Sequence, residues 1–250
     1  MHPYAGSPAL GTATIDLAAI AHNLRVVADA AEVGVIAVVK ADGYGHGAVP
    51  VARTLVGAGA VGLGVAQVAE ALALRAGAIT APITAWLHTP DTDFQAAIAA
   101  GIDVGVSSSR QLAALVAAAE HLGETATVTI KVDTGMNRSG VARDEWAGFV
   151  DDFARARAAG AVALRGVMSH LACGDEPDNP ANTDQADLLR AAVADLNAIG
   201  AIPELVHLAN SPAALTRRDL AFDTVRPGVA LFGLNPVPQH SRADLIPAMT

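Results

Sequence analysis

The chain has 250 residues, 52% of them hydrophobic, and a formal net charge of −9. That length suits one α/β domain with a large core. The acidic balance excludes a broad nucleic-acid or anionic-membrane surface, which needs a basic face, but leaves room for a small basic pocket that takes a phosphate.

Short β-rich runs alternate with longer Ala- and Leu-rich segments. Thr12–Asp16 reads as a lone strand and Leu17 to about Ala30 as a helix. Strand-like Val35–Val39 is followed by helix-like Gly47–Ala58, Gly62–Ala66 by Gln67–Ala76, and Ile83–Leu87 by Thr92–Ala100. Val104–Ser107 precedes Ser109–Leu122, Val128–Val132 precedes Arg143–Ala159, and Leu164–Ser169 precedes Thr183–Ile199. Leu205–Leu208 precedes Ser211–Arg217, and Asp223–Arg226 closes the series. The runs are apolar and often β-branched, as strands buried on both faces should be. Asp91 and Ser108 stand where helix N-caps belong, and Gly59, Gly77, Gly101, Gly160 and Gly200 where C′ glycines belong.

Eight strand–helix alternations imply parallel pairing with right-handed crossovers, and eight strands close a (β/α)8 barrel of the TIM type. A doubly wound open sheet is the competing architecture. The reading divides the chain into a leading strand and helix (1–30), the barrel (31–234) and a patternless tail (235–250) with three prolines. Cys173 is the only cysteine, which excludes an intrachain disulfide. No basic n-region with an apolar h-region opens the chain. The longest charge-free run, Thr54–Ala69, is too short and too glycine-rich to span a bilayer. A soluble cytoplasmic protein is expected, with no nucleic-acid or membrane partner and no metal.

Barrels of this kind place their chemistry at the C-terminal ends of the strands. The first run ends in AVVKADGYGHG, with Lys40 where the apolar residues stop. A low-dielectric rim disfavours the charged amine and so favours Schiff-base chemistry. Gly43, Gly45 and Gly47 let the backbone turn tightly beside a ligand. Lys-Ala-Asp-Gly alone would fit a capping lysine before a glycine turn; the eleven-residue string argues against that. Ser211-Pro212 reads as an N-cap–N1 pair, and a helix N-terminus with a hydroxyl makes an anion site. Arg226-Pro227-Gly228 supplies a second tight turn with free N–H groups.

The first string resembles the pyridoxal 5′-phosphate (PLP) lysine signature of alanine racemases. KVDTGMNRSG (131–140), GVMSHLA (166–172), HLANSPA (207–213) and VRPGVALFG (225–233) resemble the same family in the same order. The resemblance implies a PLP barrel of fold type III that interconverts L- and D-alanine, supplying D-alanine for bacterial peptidoglycan. It implies Lys40 as the cofactor lysine and proton carrier on one face, and Tyr44 near the phosphate. Arg138 would meet the cofactor's phenolic oxygen and the substrate, and His170 would lie beside the pyridine ring. Asn210, Ser211, Gly228 and Val229 would surround the phosphate. Arg226 would face the pyridine nitrogen; an arginine keeps its proton, so that nitrogen stays unprotonated and the ring is a weaker electron sink. Lys131 matches a lysine that is often carbamylated.

Competing assignments remain for some of these. Arg138 could pair with Asp133 or Asp144, His170 could be a satisfied rim histidine, and Asp42 could only cap its turn. His207 and Cys173 read as structural and bystander. The family's second acid/base is a tyrosine from the partner subunit's C-terminal β-domain. The present sequence holds only Tyr4 and Tyr44, so the β-domain is expected to be absent and the chain alone poorly active. The family dimer is a homodimer. The alternatives are a non-catalytic PLP-carrier barrel, a fold-type III decarboxylase, and a racemase for serine or another small amino acid.

Overall fold

The computed structural model describes residues 11–250. Eight strands, β1 (Gly34–Val38), β2 (Gly62–Val65), β3 (Ile83–Ala85), β4 (Asp103–Val106), β5 (Ala126–Lys131), β6 (Val162–Met168), β7 (Leu205–His207) and β8 (Thr224–Val225), pair in parallel. The hydrogen-bonded order runs from β7 down to β1 and then to β8. The two ends meet through Asp223 N–H to Val206 O (3.0 Å) and Arg226 N–H to Ala209 O (2.8 Å). The result is a (β/α)8 TIM-type barrel rather than an open sheet.

The helices are α1 (Leu17–Ala31), α2 (Lys40–Gly45), α3 (Ala48–Gly57), α4 (Val68–Ala76), α5 (Phe94–Ala99), α6 (Ser109–Leu122), α7 (Trp146–Ala158), α8 (Ala181–Ala198) and α9 (Ser211–Thr216), with 3₁₀ turns at Arg218–Leu220 and Val229–Phe232. None is long and apolar enough to cross a membrane, among the described residues. Alternate strand positions split between two faces, as the two-residue period requires. Val35, Ala37, Leu63, Val65, Val104, Val128 and Ile130 pack outward against the helices in one core. Ile36, Val38 and Met168 are equally buried but stand outside that core, toward the barrel interior.

The lower interior is polar. Asp103 Oδ2 accepts hydrogen bonds from the hydroxyls of Thr84 and Thr129, both at 2.7 Å, with Arg165 Nε at 3.8 Å. Burial pushes the Asp103 carboxyl up to about 6, against the pull of those three partners.

Three local expectations need correction. Asp93, not Asp91, caps α5, its carboxylate accepting from Ala96 N–H (2.9 Å). At the end of α4 the left-handed residue is Ala78 (φ 60°), whereas Gly77 keeps φ −77°. Thr12–Asp16 is no strand; Ile15 makes one antiparallel bridge to Met249. The tail is therefore seated, and Asn23, fully buried on α1, holds it by exchanging hydrogen bonds with Ile246 (2.8 Å each way). Tyr4 and the start of the 1–30 segment lie outside the described residues.

Candidate active site

All ten residues singled out from the sequence border one cavity at the C-terminal ends of the strands: Lys40, Tyr44, Lys131, Arg138, His170, Asn210, Ser211, Arg226, Gly228 and Val229. Val38, Ala66, Trp86, Leu87, Met168 and Pro212 complete the wall. Among the described residues no cluster of His, Cys, Asp and Glu is fit to hold a metal ion.

Lys40 follows β1 and opens α2, which differs from the glycine turn expected. Ala41, Asp42, Gly43 and Tyr44 have φ of 52°, 53°, 62° and 55°, one turn of left-handed helix in which only one residue is glycine. Asp42 accordingly caps: its Oδ1 accepts from Ala48 N–H (2.7 Å) at the start of α3. Lys40 stands exposed at the rim rather than buried in the barrel wall. Its Nζ lies 5.7 Å from the centroid of the Tyr44 ring. Tyr44 leans on Phe232, ring centroids 5.0 Å apart, and burial raises its pKa, keeping the hydroxyl protonated as a donor.

That hydroxyl lies over Gly228, where a Cβ would sit 2.2 Å from it. No other residue type fits under Tyr44 without moving it. Ser211 was expected as the N-cap of α9, but it is the first helical residue. Asn210 is the cap, its Oδ1 accepting from Ala213 N–H (3.3 Å). The Ser211 Oγ is spoken for elsewhere: it accepts from Gly228 N–H (2.9 Å) and Ala230 N–H (3.3 Å). With both lone pairs engaged, its own proton is the free donor. Tyr44 Oη and Ser211 Oγ thus bring two hydroxyl donors to the Gly228–Val229 turn.

On the other side Arg226 is 4% exposed. Its terminal nitrogen donates to Ser169 O (2.5 Å) and Leu208 O (3.0 Å), and its guanidinium lies 5.6 Å from the Trp86 ring centroid. Burial, then Arg138, lowers its pKa to about 10, which leaves it charged at neutral pH. Its Nε is buried and has no partner among the described residues. Lys131, 5% exposed, donates to Ser139 Oγ. Burial first, then Arg138 and Arg226, lower its pKa to about 8. Arg138 makes no ion pair among the described residues, and the Asp133 Oδ1 instead accepts from Gly135 N–H (3.0 Å) and Asn137 N–H (3.1 Å). His170 is held near 3 by burial and by Arg226, Arg138, Lys131 and Lys40, so its imidazole is neutral. His207 and Cys173 do not border the cavity.

Trp86 and Glu70 were missed. Trp86 could have been found as one of two tryptophans, sitting at a strand's C-terminal end. Glu70 gave no signal, because its partner in space lies 29 positions away.

Fold and mouth together define a TIM-type barrel protein whose open end gathers cations and hydroxyl donors in a chain that is acidic overall. Residues 15–236 match the family model described as alanine racemase, N-terminal domain. The chain is 55% identical over 237 residues to the alanine racemase of Mycolicibacterium smegmatis, covering 94% of this chain and 61% of the relative. It is 50% identical over 252 residues to that of Mycobacterium tuberculosis, covering 100% and 66%. The alanine racemase structure from a D-cycloserine-producing Streptomyces lavendulae superposes with a TM-score of 0.93 at 43% identity, over 95% of this chain and 63% of that one. The one from Bartonella henselae, with covalently bound pyridoxal phosphate, gives 0.84 at 29% identity, over 97% and 66%. The chain belongs to the alanine racemase family. It spans between 61% and 66% of the length of these curated relatives.

Proposed function

We propose that this barrel binds PLP on Lys40 and serves the interconversion of L- and D-alanine, a cytoplasmic isomerase activity that feeds bacterial peptidoglycan. The observation that carries the reading is the convergence of ten residues, from five strand ends, on one cavity.

The cavity fits the cofactor. The unpartnered Arg226 Nε is a buried donor in want of an acceptor, and a pyridine nitrogen is one. Ser211 Oγ, Tyr44 Oη and the N–H of Val229 would hold the phosphate, with Gly228 giving the room and Asn210 fixing the α9 end. Neutral His170 would lie beside the ring without adding charge. Bound there, PLP supplies an electron sink for charge developing at the substrate Cα. Arg226 stays charged and keeps the ring nitrogen from gaining a proton, which limits that sink and disfavours side reactions such as transamination. Lys40 moves the Cα proton on its own face. Arg138, free of ion pairs, would take the phenolic oxygen and the substrate carboxylate. The Lys131 amine, partly neutral near pH 8, would add CO2 and lose a proton, giving a carbamate anion between two arginines.

A racemase needs a second proton carrier on the opposite face. Tyr44 faces Gly228, on the phosphate side. The proposal gives that role to a tyrosine from the C-terminal domain of a partner subunit, in a homodimer of the whole protein. Residues 31–234 then form the cofactor barrel, with 235–250 leading toward that domain. Borohydride treatment of the chain with PLP is expected to fix the cofactor to the peptide containing Lys40, and a Lys40→Ala variant to fix none. Fixation elsewhere overturns the assignment. With PLP added, this chain alone is expected to racemise alanine poorly; turnover at the rate of a whole family enzyme sinks the placement of the second group.

A further inference from the structure

The carboxylate of Glu70, in the first turn of α4, collects three backbone N–H groups. Oε2 accepts from Ala66 (2.7 Å) and Gln67 (3.0 Å), which caps its own helix. Oε1 accepts from Ala41 (2.7 Å), the first N–H after Lys40. The carboxylate therefore bolts the start of the left-handed turn to the end of β2.

That turn needs holding. A non-glycine residue in the left-handed region is strained by its Cβ, and Ala41, Asp42 and Tyr44 are three of them. Of its other hydrogen bonds, Gly43 N–H to Val39 O and Gly47 N–H to Asp42 O (2.9 Å each) and His46 N–H to Gly43 O (3.1 Å) close the turn on itself, and Asp42 Oδ1 ties its middle to α3 through Ala48 N–H (2.7 Å). Glu70 ties its first residue to a neighbouring strand end. Lys40 precedes the turn and Tyr44 ends it, so its shape sets how far the lysine amine lies from the hydroxyl over Gly228. We propose that Glu70 is a positioning residue: through Ala41 it fixes the separation of Lys40 and Tyr44, and with it the span of ligand that can engage both. The inference rests on the PLP reading above, which gives the two residues opposite ends of one molecule.

The test compares the wild-type chain with Glu70→Ala, Glu70→Gln and Asp93→Ala, the last removing the cap of α5 as a control for lost stability. Amide exchange at Ala41 and the affinity for PLP and for pyridoxal, which lacks the phosphate, are read well below each unfolding temperature. Adducts are trapped with borohydride. Charge-assisted hydrogen bonds are strong enough for a roughly tenfold loss of PLP affinity in Glu70→Ala, with faster Ala41 exchange and a smaller loss for pyridoxal. Glu70→Gln keeps one acceptor oxygen and should fall between. Asp93→Ala should lower stability and change neither readout. Wild-type PLP affinity in Glu70→Ala, or equal losses for both ligands, overturns the proposal. A wild-type chain that yields no adduct at Lys40 overturns the PLP reading instead, while the exchange rates still decide whether Glu70 holds the turn.

Discussion

Lys131 is a buried amine whose charged form is opposed by burial first and then by Arg138 and Arg226, so its pKa falls to about 8. Near that pH about half of such amines are neutral. Only the neutral amine attacks CO2, and its product is an anion where two guanidinium groups favour one. With 13C-bicarbonate present, a carbamate carbon resonance is expected in the wild-type chain. It should vanish in Lys131→Met and weaken in Arg138→Leu, which removes one of the two cations. A wild-type spectrum without the resonance, or one that persists in Lys131→Met, removes the carbamate from the site. His170, also on the cavity wall, is held neutral by burial and the same cations, and Cys173 lies outside the cavity.

At the level of elements, the end of β3 carries a large part of the mouth's architecture. Trp86 follows β3 and crosses toward Arg226, in the space that glycines on β2 and β4 leave open. A Cβ at Gly64 would lie 2.0 Å from the Trp86 ring, and one at Gly105 would lie 3.0 Å from its Cα. Gly64→Ala should therefore push the indole against Arg226 and destabilise the barrel by about 1–3 kcal/mol, the usual range for overpacking. Adding Trp86→Leu makes room, so the double variant is expected to be more stable than the sum of the two single effects, measured by denaturant unfolding. Additive losses would show that the glycine and the indole are independent. This contact also marks where sequence reading stops. The eight strands were legible because parallel strands buried on both faces write themselves as apolar runs, and the ten cavity residues because strand ends and family motifs coincide. Which oxygen caps α9 was not legible, since Asn210 and Ser211 are equally good caps and the choice falls to Gly228, 17 positions from Ser211. The left-handed turn at Ala41 was also hidden, because glycines nearby suggested a different residue for each strained position.

Across the whole molecule, buried titratable groups decide how the barrel responds to acid. His88 is lowered to about 4 and His170 to about 3, each by burial first, and His207 lies well below the usual 6.5 for the same reason. A histidine with a lowered folded pKa binds its proton more readily when unfolded. Its contribution to stability is whole above pH 6.5 and is lost as the pH falls toward the folded value. Asp103 works the other way: its folded pKa, about 6, lies above the usual 3.8, so stability grows as the pH falls through that window. The Asp103 gain covers about two pH units and is offset by one histidine alone, so the other two leave the barrel acid-labile. A histidine of this kind costs about 2 kcal/mol between pH 6.5 and 5, at 1.4 kcal/mol per pH unit. The unfolding free energy is expected to fall over that range, and to fall less in His88→Phe, which keeps an aromatic ring 5.3 Å from Phe94 while removing one proton site. Asp103→Asn should steepen the fall, because the opposing term disappears. Urea unfolding at several pH values measures all three, and a wild-type stability that rises toward pH 5 would give the interior carboxylate, not the histidines, control of the fold's acid limit.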